Sequence, residues 1–392
     1  MPSRKPARRS AVPESRLSRF LTLGVMTGEV VAGVIAERLR GRNEGSLIPL
    51  SARAAARLAE RLSHLRGAAM KLGQILSLEG DDLLPPEVAQ ALAILRADAH
   101  TMPLAQLRRV LGREWGHGWE LRFAAFDYEP IAAASIGQVH RAQTADGRDL
   151  AVKVQYPGVA KSIDSDVDNV AALLRLARLL PLNFDIGGMV AEAKRQLHEE
   201  ADYLAEARHL ARFRRLLADE PGLHVPRVHA DFTTRRVLAM DHVAGEPLEA
   251  LADPDVKQAE RDAAGRTLER LMLRELFEFR FMQTDPNLAN YLYDRAARRI
   301  VLLDFGAVST FPGRLVERYR RITRAVMAGD RAAVRAAAME IGYIAPEDED
   351  AVAEAAVDVI MLVCEPLRHR GAYDFGASDL PARARTLGLD LA

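Results

Sequence analysis

Apolar positions recur at helical spacing through the early part of the chain and then change period. Leu58, Leu62, Leu65 and Ala69 fall three or four residues apart in an Ala-rich stretch, which predicts mostly helix over 50–111. Within it one helix is opened by Pro85-Pro86, and another is opened by Pro103 and closed by Gly112. The period then shortens. Val139-His-Arg-Ala-Gln and Leu150-Ala-Val-Lys-Val flank an Asp146-Gly147 turn, so β-branched content and turn chemistry together predict a hairpin. Two helical stretches follow, 163–180 with Ile163, Val167, Val170, Leu174 and Ala177 on one face, and 189–217. A strand at 236–240 and a Gly245-Glu-Pro turn close a small β-containing lobe. Beyond it the pattern predicts a helix from about 258 to 281, short strands at Tyr291-Leu-Tyr and Ile300-Val-Leu-Leu, and helices to the end. No internal repeat or low-complexity linker interrupts this order.

The N-terminal stretch departs from it. Residues 1–19 carry Arg4, Lys5, Arg8, Arg9, Arg16 and Arg19 against one acid, Glu14, with Pro2, Pro6 and Pro13 breaking any helix, which predicts a mobile basic arm. Residues 20–36 are apolar apart from Thr22, Thr27 and Glu29, and include Gly24, Gly28 and Gly33. At about 17 residues the run falls short of the ~20 that a membrane span needs, and Glu29 near its centre adds a cost of a few kcal/mol. The expectation is a helix that docks on a membrane or a partner helix, or one buried in the protein; a true span is the least favoured reading. Glu37-Arg38 closes the run without a small-residue cleavage site, against a signal peptide.

Composition narrows the chemistry. The 392 residues, 49% apolar, suffice for two cores, and 54 basic residues against 54 acidic ones exclude a strongly basic nucleic-acid binder. A single cysteine, Cys364, excludes an internal disulfide or a cysteine-built metal site, and no two histidines stand at i, i+4.

Three segments carry chemistry. Ala132-Ala133-Ala134-Ser135-Ile-Gly137-Gln138-Val139 matches the kinase phosphate loop Gly-x-Gly-x-x-Gly-x-Val at 132, 134, 137 and 139, with alanine at the first two glycines. Fourteen residues past Val139, Lys153 sits on the second hairpin strand, where a kinase places the lysine that pairs with the α- and β-phosphates. Asp285-Pro-Asn-Leu-Ala-Asn290 has the spacing of a kinase catalytic acid and metal-binding asparagine, and the strand at 300–303 runs into Asp304-Phe305-Gly306. Phosphates need a protein cation and a divalent metal. Magnesium, hard and octahedral, suits the oxygens of Asp304 and Asn290, which leaves Asp285 free to act as a base or to orient a water or hydroxyl. A glutamate partner for Lys153 is expected on the 189–217 helix. There Asp202 and Glu206 share a face, and Glu200 points about 120° away.

Taken together, these segments resemble the UbiB/ADCK group of atypical kinase-like proteins linked to ubiquinone biosynthesis. The resemblance rests also on Lys71-Leu-Gly-Gln74 (Lys-x-Gly-Gln), Ala151-Val-Lys-Val-Gln-Tyr-Pro-Gly158 and Glu200-Ala-Asp202 (Glu-x-Asp), and it covers about 20–310. It implies an α+β, protein-kinase-like two-lobe fold with an N-terminal helical extension. The implied divisions are the arm at 1–19, the extension at 20–118, an N-lobe with inserted helices at 119–245 and a C-lobe at 246–392. It implies ATP or ADP with magnesium, and ATPase activity rather than ordinary protein phosphorylation. Work in the cytoplasm, peripherally at a membrane, on quinone-precursor or anionic lipids, or with other biosynthetic proteins, is implied as well.

Carried over by residue, the resemblance pairs Lys153 with Glu206 and sets Lys71 opposite Glu200 and Asp202, with Gln74 beside it as a regulatory group. Asp285 becomes the catalytic acid, Asn290 and Asp304 the metal ligands, and the 132–139 loop with Asp241 and Val243 the nucleotide contacts. No Ala-Pro-Glu segment follows Gly306; Phe311-Pro-Gly leads into a helix at 315–326, so the usual peptide platform is missing. The resemblance also implies further apolar helices past Ala392. A pseudokinase serving as a nucleotide-gated lipid or protein binding module is the alternative to an ATPase.

Overall fold

The computed structural model describes residues 65–79, 101–176, 186–285 and 287–389. The basic arm, the 20–36 stretch, Leu58, Leu62, Ala177 and the helix expected after Pro85-Pro86 lie outside the described residues. Helix α1 (Arg66–Glu79) carries the Lys-x-Gly-Gln segment and buries Ala68, Ala69, Lys71 and Leu72. Helix α2 (Leu104–Trp115) begins after Pro103 and runs through Gly112, which was expected to end it. The stop is Gly116, whose φ of 89° lies in the left-handed region that glycine enters without steric cost.

Chain contacts divide the protein into two compact units, Met1–Lys257 with Asp285–Ala307, and Gln258–Thr284 with Val308–Ala392. In the first, β1 (Phe123–Phe126), β2 (Ala132–Ala133), β3 (Gly137–Thr144) and β4 (Asp149–Gln155) precede three helices, α3 (Val159–Leu176), α4 (Gly187–Glu200) and α5 (Tyr203–Leu216). After β5 (Leu223–His224), β6 (Val237–Asp241) completes a five-stranded sheet in the order β1-β3-β4-β6 with β2 on β3. The expected hairpin is β3–β4, turned at Gly147 with φ 89°. Val139 and Leu238 are the register partners of Lys153 on either side. Strand β1, which the pattern did not predict, closes one edge. Its Phe123 and Phe126 pack with Trp115, Trp119 and Phe232 in an aromatic cluster with ring centroids 5.0–6.5 Å apart.

The same unit holds a second sheet, for which β7 (Glu246–Pro247) supplies one strand. In the second unit α6 (Gln258–Leu273) gives way to a π-helical turn (Arg274–Phe279) and ends at Arg280, φ 52°, ahead of β8 (Phe281–Gln283). The single helix expected to 281 is thus cut short because 281–283 is drawn into strand pairing. Back in the first unit, β9 (Tyr291–Asp294) and β10 (Arg299–Leu302) complete the four-stranded sheet β5-β10-β9-β7. The second unit resumes with β11 (Val308–Thr310), antiparallel to β8. Helices α7 (Gly313–Ala328), α8 (Arg331–Ile341), α9 (Asp350–Val363), α10 (Glu365–Arg368) and α11 (Leu380–Leu389) follow. Val326, Val334, Ala338, Ile344 and Val357 lie in that unit's apolar core.

Candidate active site

Lys153 lies on a strand hydrogen-bonded on both sides, so its ammonium has little access to water and needs partners from the protein. Glu206, completely buried, accepts from it with both carboxylate oxygens at 2.9 and 3.0 Å, and Asp304 Oδ2 accepts at 3.1 Å. Helix α5 organises this cluster by its 3.6-residue period. Glu206, His209 and Phe213 fall on one face: Glu206 holds the lysine, His209 Nδ1 lies 3.0 Å from the Phe305 carbonyl oxygen, and Phe213 stacks on Phe305 at a centroid distance of 4.3 Å. Asp304 is fixed in turn by the Gly306 N–H at 2.8 Å.

The expected continuous helix over 189–217 is broken at Ala201-Asp202. Helix α4 stops at Glu200, and α5 restarts with Asp202 as its N-cap, the carboxylate accepting from the Ala205 N–H at 3.0 Å. The buried Gln155 side chain donates to the Ala201 carbonyl at 3.0 Å, which satisfies the backbone at the break. The angular relation drawn between Glu200, Asp202 and Glu206 therefore does not hold. Asp202 is exposed and occupied by its own helix, so it is not opposite Lys71.

Lys71 meets Glu200 Oε1 at 2.8 Å and, instead of Asp202, Asp285 Oδ2 at 2.7 Å; the lysine side chain is 2% exposed. Glu200 accepts with its other oxygen from the Ser135 hydroxyl. Lys71, Glu200, Asp285 and Ser135 thus form one connected set, and Lys153, Glu206 and Asp304 a second. Sequence reasoning missed the Lys71–Asp285 bond and the role of Ser135, the one hydroxyl in the 132–137 loop. Gln74 is half-buried on α1.

In the phosphate-loop segment, Ala132 and Ala133 pair with Val139 and Gln138, and the Ala134 N–H donates to the Gly137 carbonyl at 2.9 Å, which makes a tight turn. Gly137 is required by space: a methyl group there would sit 2.6 Å from the Val154 carbonyl oxygen. Gln138 was expected among the nucleotide contacts, but its side chain points inward. It accepts from the Met102 N–H and contacts His140 Nε2, each at 2.8 Å. Asp241 accepts from the Arg227 N–H and meets His229 Nε2 at 2.7 Å, while the half-buried Val243 follows the end of β6. Asn290 closes a short 3₁₀ turn (Leu288–Asn290), and its carbonyl accepts from the Leu303 N–H at 3.0 Å, tying the 285–290 loop to the strand that delivers Asp304.

Comparison with known proteins decides the family. Residues 94–338 match the ABC1 atypical kinase-like domain. The chain is 38% identical to the mitochondrial atypical kinase COQ8B of Rattus norvegicus, across 97% of this chain and 73% of that protein. It is 36% identical to the mitochondrial atypical kinase COQ8 of Saccharomyces cerevisiae, across 97% and 76%. The chain belongs to the ABC1 atypical kinase-like family. Its homologues are the COQ8 kinases of ubiquinone biosynthesis, the UbiB/ADCK group that the motifs indicated, and the chain falls in the ATP-dependent kinase and ATPase class. The complex of Rv3197 from Mycobacterium tuberculosis with erythromycin is similar in structure, with a TM-score of 0.57 and 26% identity over 86% of this chain and 91% of that one. The fold is α+β and kinase-like, as expected.

Within this family's site, charge is unbalanced. Burial disfavours both ammonium groups, but Glu200 and Asp285 outweigh it for Lys71, and Asp304 and Glu206 for Lys153, so both pKa values are raised. Burial pushes the Glu206 carboxyl up, and Lys153 draws it part of the way back. Burial also opposes ionisation of Asp304, but Lys153 and the Gly306 N–H prevail and hold it below the usual carboxylate range. Four carboxylates (Glu200, Glu206, Asp285, Asp304) thus face two ammonium groups. That excess of negative charge, with hard oxygen donors on Asp304 and Asn290, fits a divalent cation. No group of three or more His, Cys, Asp or Glu suited to a metal occurs among the described residues.

Proposed function

We propose that the site binds magnesium with ATP or ADP and hydrolyses ATP, and that this activity supports quinone-lipid synthesis peripherally at a membrane surface. The observation that carries the reading is the convergence of Glu206 and Asp304 on Lys153, all three buried or half-buried. Lys153, oriented by Glu206, supplies a fixed cation to the α- and β-phosphates. Asp304 and the Asn290 side-chain oxygen are the groups to hold magnesium, which neutralises phosphate charge. Asp285 lies on the loop that also carries Asn290, where a carboxylate can orient a water against the γ-phosphate. That carboxylate is held by Lys71 at 2.7 Å, so turnover requires the Lys71–Asp285 bond to loosen.

This resting bond also favours a second reading, a nucleotide-gated module that presents a lipid precursor or engages a biosynthetic protein with little turnover. No helix among the described residues is long and apolar enough to cross a membrane. The deciding experiment measures nucleotide affinity and phosphate release for wild type, Lys153→Ala and Asp304→Asn, with and without vesicles containing anionic lipid. The ATPase reading expects Lys153→Ala to lose at least about tenfold in affinity, Asp304→Asn to lose magnesium-dependent release, and vesicles to raise the wild-type rate. Binding without release in wild type would favour the module. Equal affinity in wild type and Lys153→Ala would refute the nucleotide site.

A further inference from the structure

Asp285, Asn290 and Asp304 lie on one stretch of chain, 285–307, whose two ends run into the short ladder of β8 and β11, where Gln283 stands opposite Val308. That ladder is only two strands wide, so β8 has an open edge. The Phe311 N–H donates to the Arg280 carbonyl at 2.9 Å, just outside the strands. Hydrogen-bonded pairs alternate along an antiparallel ladder, so Met282 and Ser309 form the next one, and the Gln283 N–H is turned away from β11 towards the open edge. Gln283 is buried, so that N–H needs an acceptor from the protein.

Glu275 supplies it. The residue sits on the π-helical turn that packs against β8, is 4% exposed, and its carboxyl accepts from the Gln283 N–H. A side chain here takes the place of a neighbouring strand. The charged side chains close to it are engaged elsewhere, Arg274 with Glu278 and Arg320 of α7 with the Phe277 carbonyl. Burial pushes the Glu275 carboxyl up to about 8, against the pull of the Gln283 N–H, so the group is neutral at pH 7 and its hold on the strand does not depend on a charge. Neither phosphate nor magnesium binding uses this carboxyl, and burying it is costly. What the burial secures is the exit of β8, two residues before Asp285. We propose that Glu275 is a positioning residue for the catalytic loop: by closing the open edge of β8 at Gln283 it fixes the direction in which the chain leaves that strand, and with it the place of the Asp285 carboxylate. The inference rests on the reading of Asp285 as the group that orients water, and adds the residue that holds the root of its loop.

The test compares Glu275→Gln, Glu275→Met and Asp285→Asn with wild type in the full chain, reading kcat and KM for phosphate release. Glutamine keeps an acceptor oxygen at the same reach, whereas methionine fills the same space without one. Glu275→Gln should keep kcat within about twofold, and Glu275→Met should lose about tenfold in kcat with KM for ATP nearly unchanged, because a misplaced reacting group slows the chemical step more than it weakens binding. Wild-type kcat in Glu275→Met, an equal loss in both Glu275 variants, or a loss carried by KM overturns the inference. Should Glu275→Met fail to fold, amide hydrogen exchange in wild type and Glu275→Gln decides: protection of the Gln283 N–H in both upholds the inference, and fast exchange there in wild type overturns it. If Asp285→Asn loses rate while Glu275→Met does not, the reading of Asp285 stands and only the role of Glu275 falls. If Asp285→Asn releases phosphate as wild type does, or wild type releases none, the reading of Asp285 fails and this inference with it.

Discussion

Lys71 and Asp285, 214 positions apart in the chain, form a 2.7 Å ion pair whose lysine is almost closed to water. Lys153 repeats the arrangement with Asp304 at 3.1 Å. Each lysine bridges one acid from the α4–α5 region and one from the loops around β9 and β10: Glu200 and Asp285 for Lys71, Glu206 and Asp304 for Lys153. The break between α4 and α5 makes the double arrangement feasible, because it separates two glutamates six residues apart into different directions.

Replacing Lys71 by alanine should leave Glu200 and Asp285 facing one another without their shared cation. Stability at pH 7 should fall by about 3 kcal/mol, at the lower end for a broken buried pair because Asp285 is 31% exposed. The two like charges then repel with no cation between them. In the wild type Lys71 is charged at this pH. Its raised pKa keeps it charged below the ordinary lysine value, and its contribution is lost only as pH climbs through the still higher folded value. Melting temperatures of variant and wild type at pH 7 check this; equal values would contradict it.

Acid should weaken the protein through His140. The Asp127 carbonyl, 2.8 Å from Nδ1, can only accept, so Nδ1 carries the proton and Nε2 accepts from the Gln138 amide at 2.8 Å. Burial lowers the His140 pKa. The folded state thus binds this proton less readily than the unfolded chain, so the stabilisation is complete above pH ~6.5 and is lost as pH falls below that value. Between pH 6.5 and 5 the melting temperature of wild type should drop more steeply than that of His140→Phe. Parallel curves would assign the acid sensitivity elsewhere.

Two glycine-to-alanine changes should act in opposite directions. Gly137→Ala drives a methyl group to 2.6 Å from the Val154 carbonyl oxygen, which a hydrogen-bonded strand cannot readily yield, so a loss of at least about 2 kcal/mol is expected. Gly112 lies inside α2 with nothing within 4 Å of a built methyl group, so Gly112→Ala should stabilise by about 0.5–1 kcal/mol through helix propensity. Urea denaturation of the two variants reads both signs directly.

The sequence alone determined what short-range chemistry controls. The β3–β4 hairpin follows from β-branched alternation around a glycine turn, the strand into Asp304 from a run of apolar residues, and the buried face of α3 from its helical period. The pairing of Lys153 with a glutamate was legible because a strand lysine between neighbouring strands needs a partner. Tertiary structure decided the rest. Angular arithmetic over 189–217 assumed an unbroken helix, whereas Asp202 capping Ala205 and Gln155 satisfying the Ala201 carbonyl make a break that hydrophobic periodicity does not register. Strand β1 and the stop before β8 depend on partners distant in sequence, Gln143 and Ala142 for the one and Ser309 for the other. The Lys71–Asp285 bond joins an early helix to a loop more than two hundred residues later. No local window contains that bond, since its geometry exists only once the elements between them have packed and excluded the water that would otherwise separate the two charges.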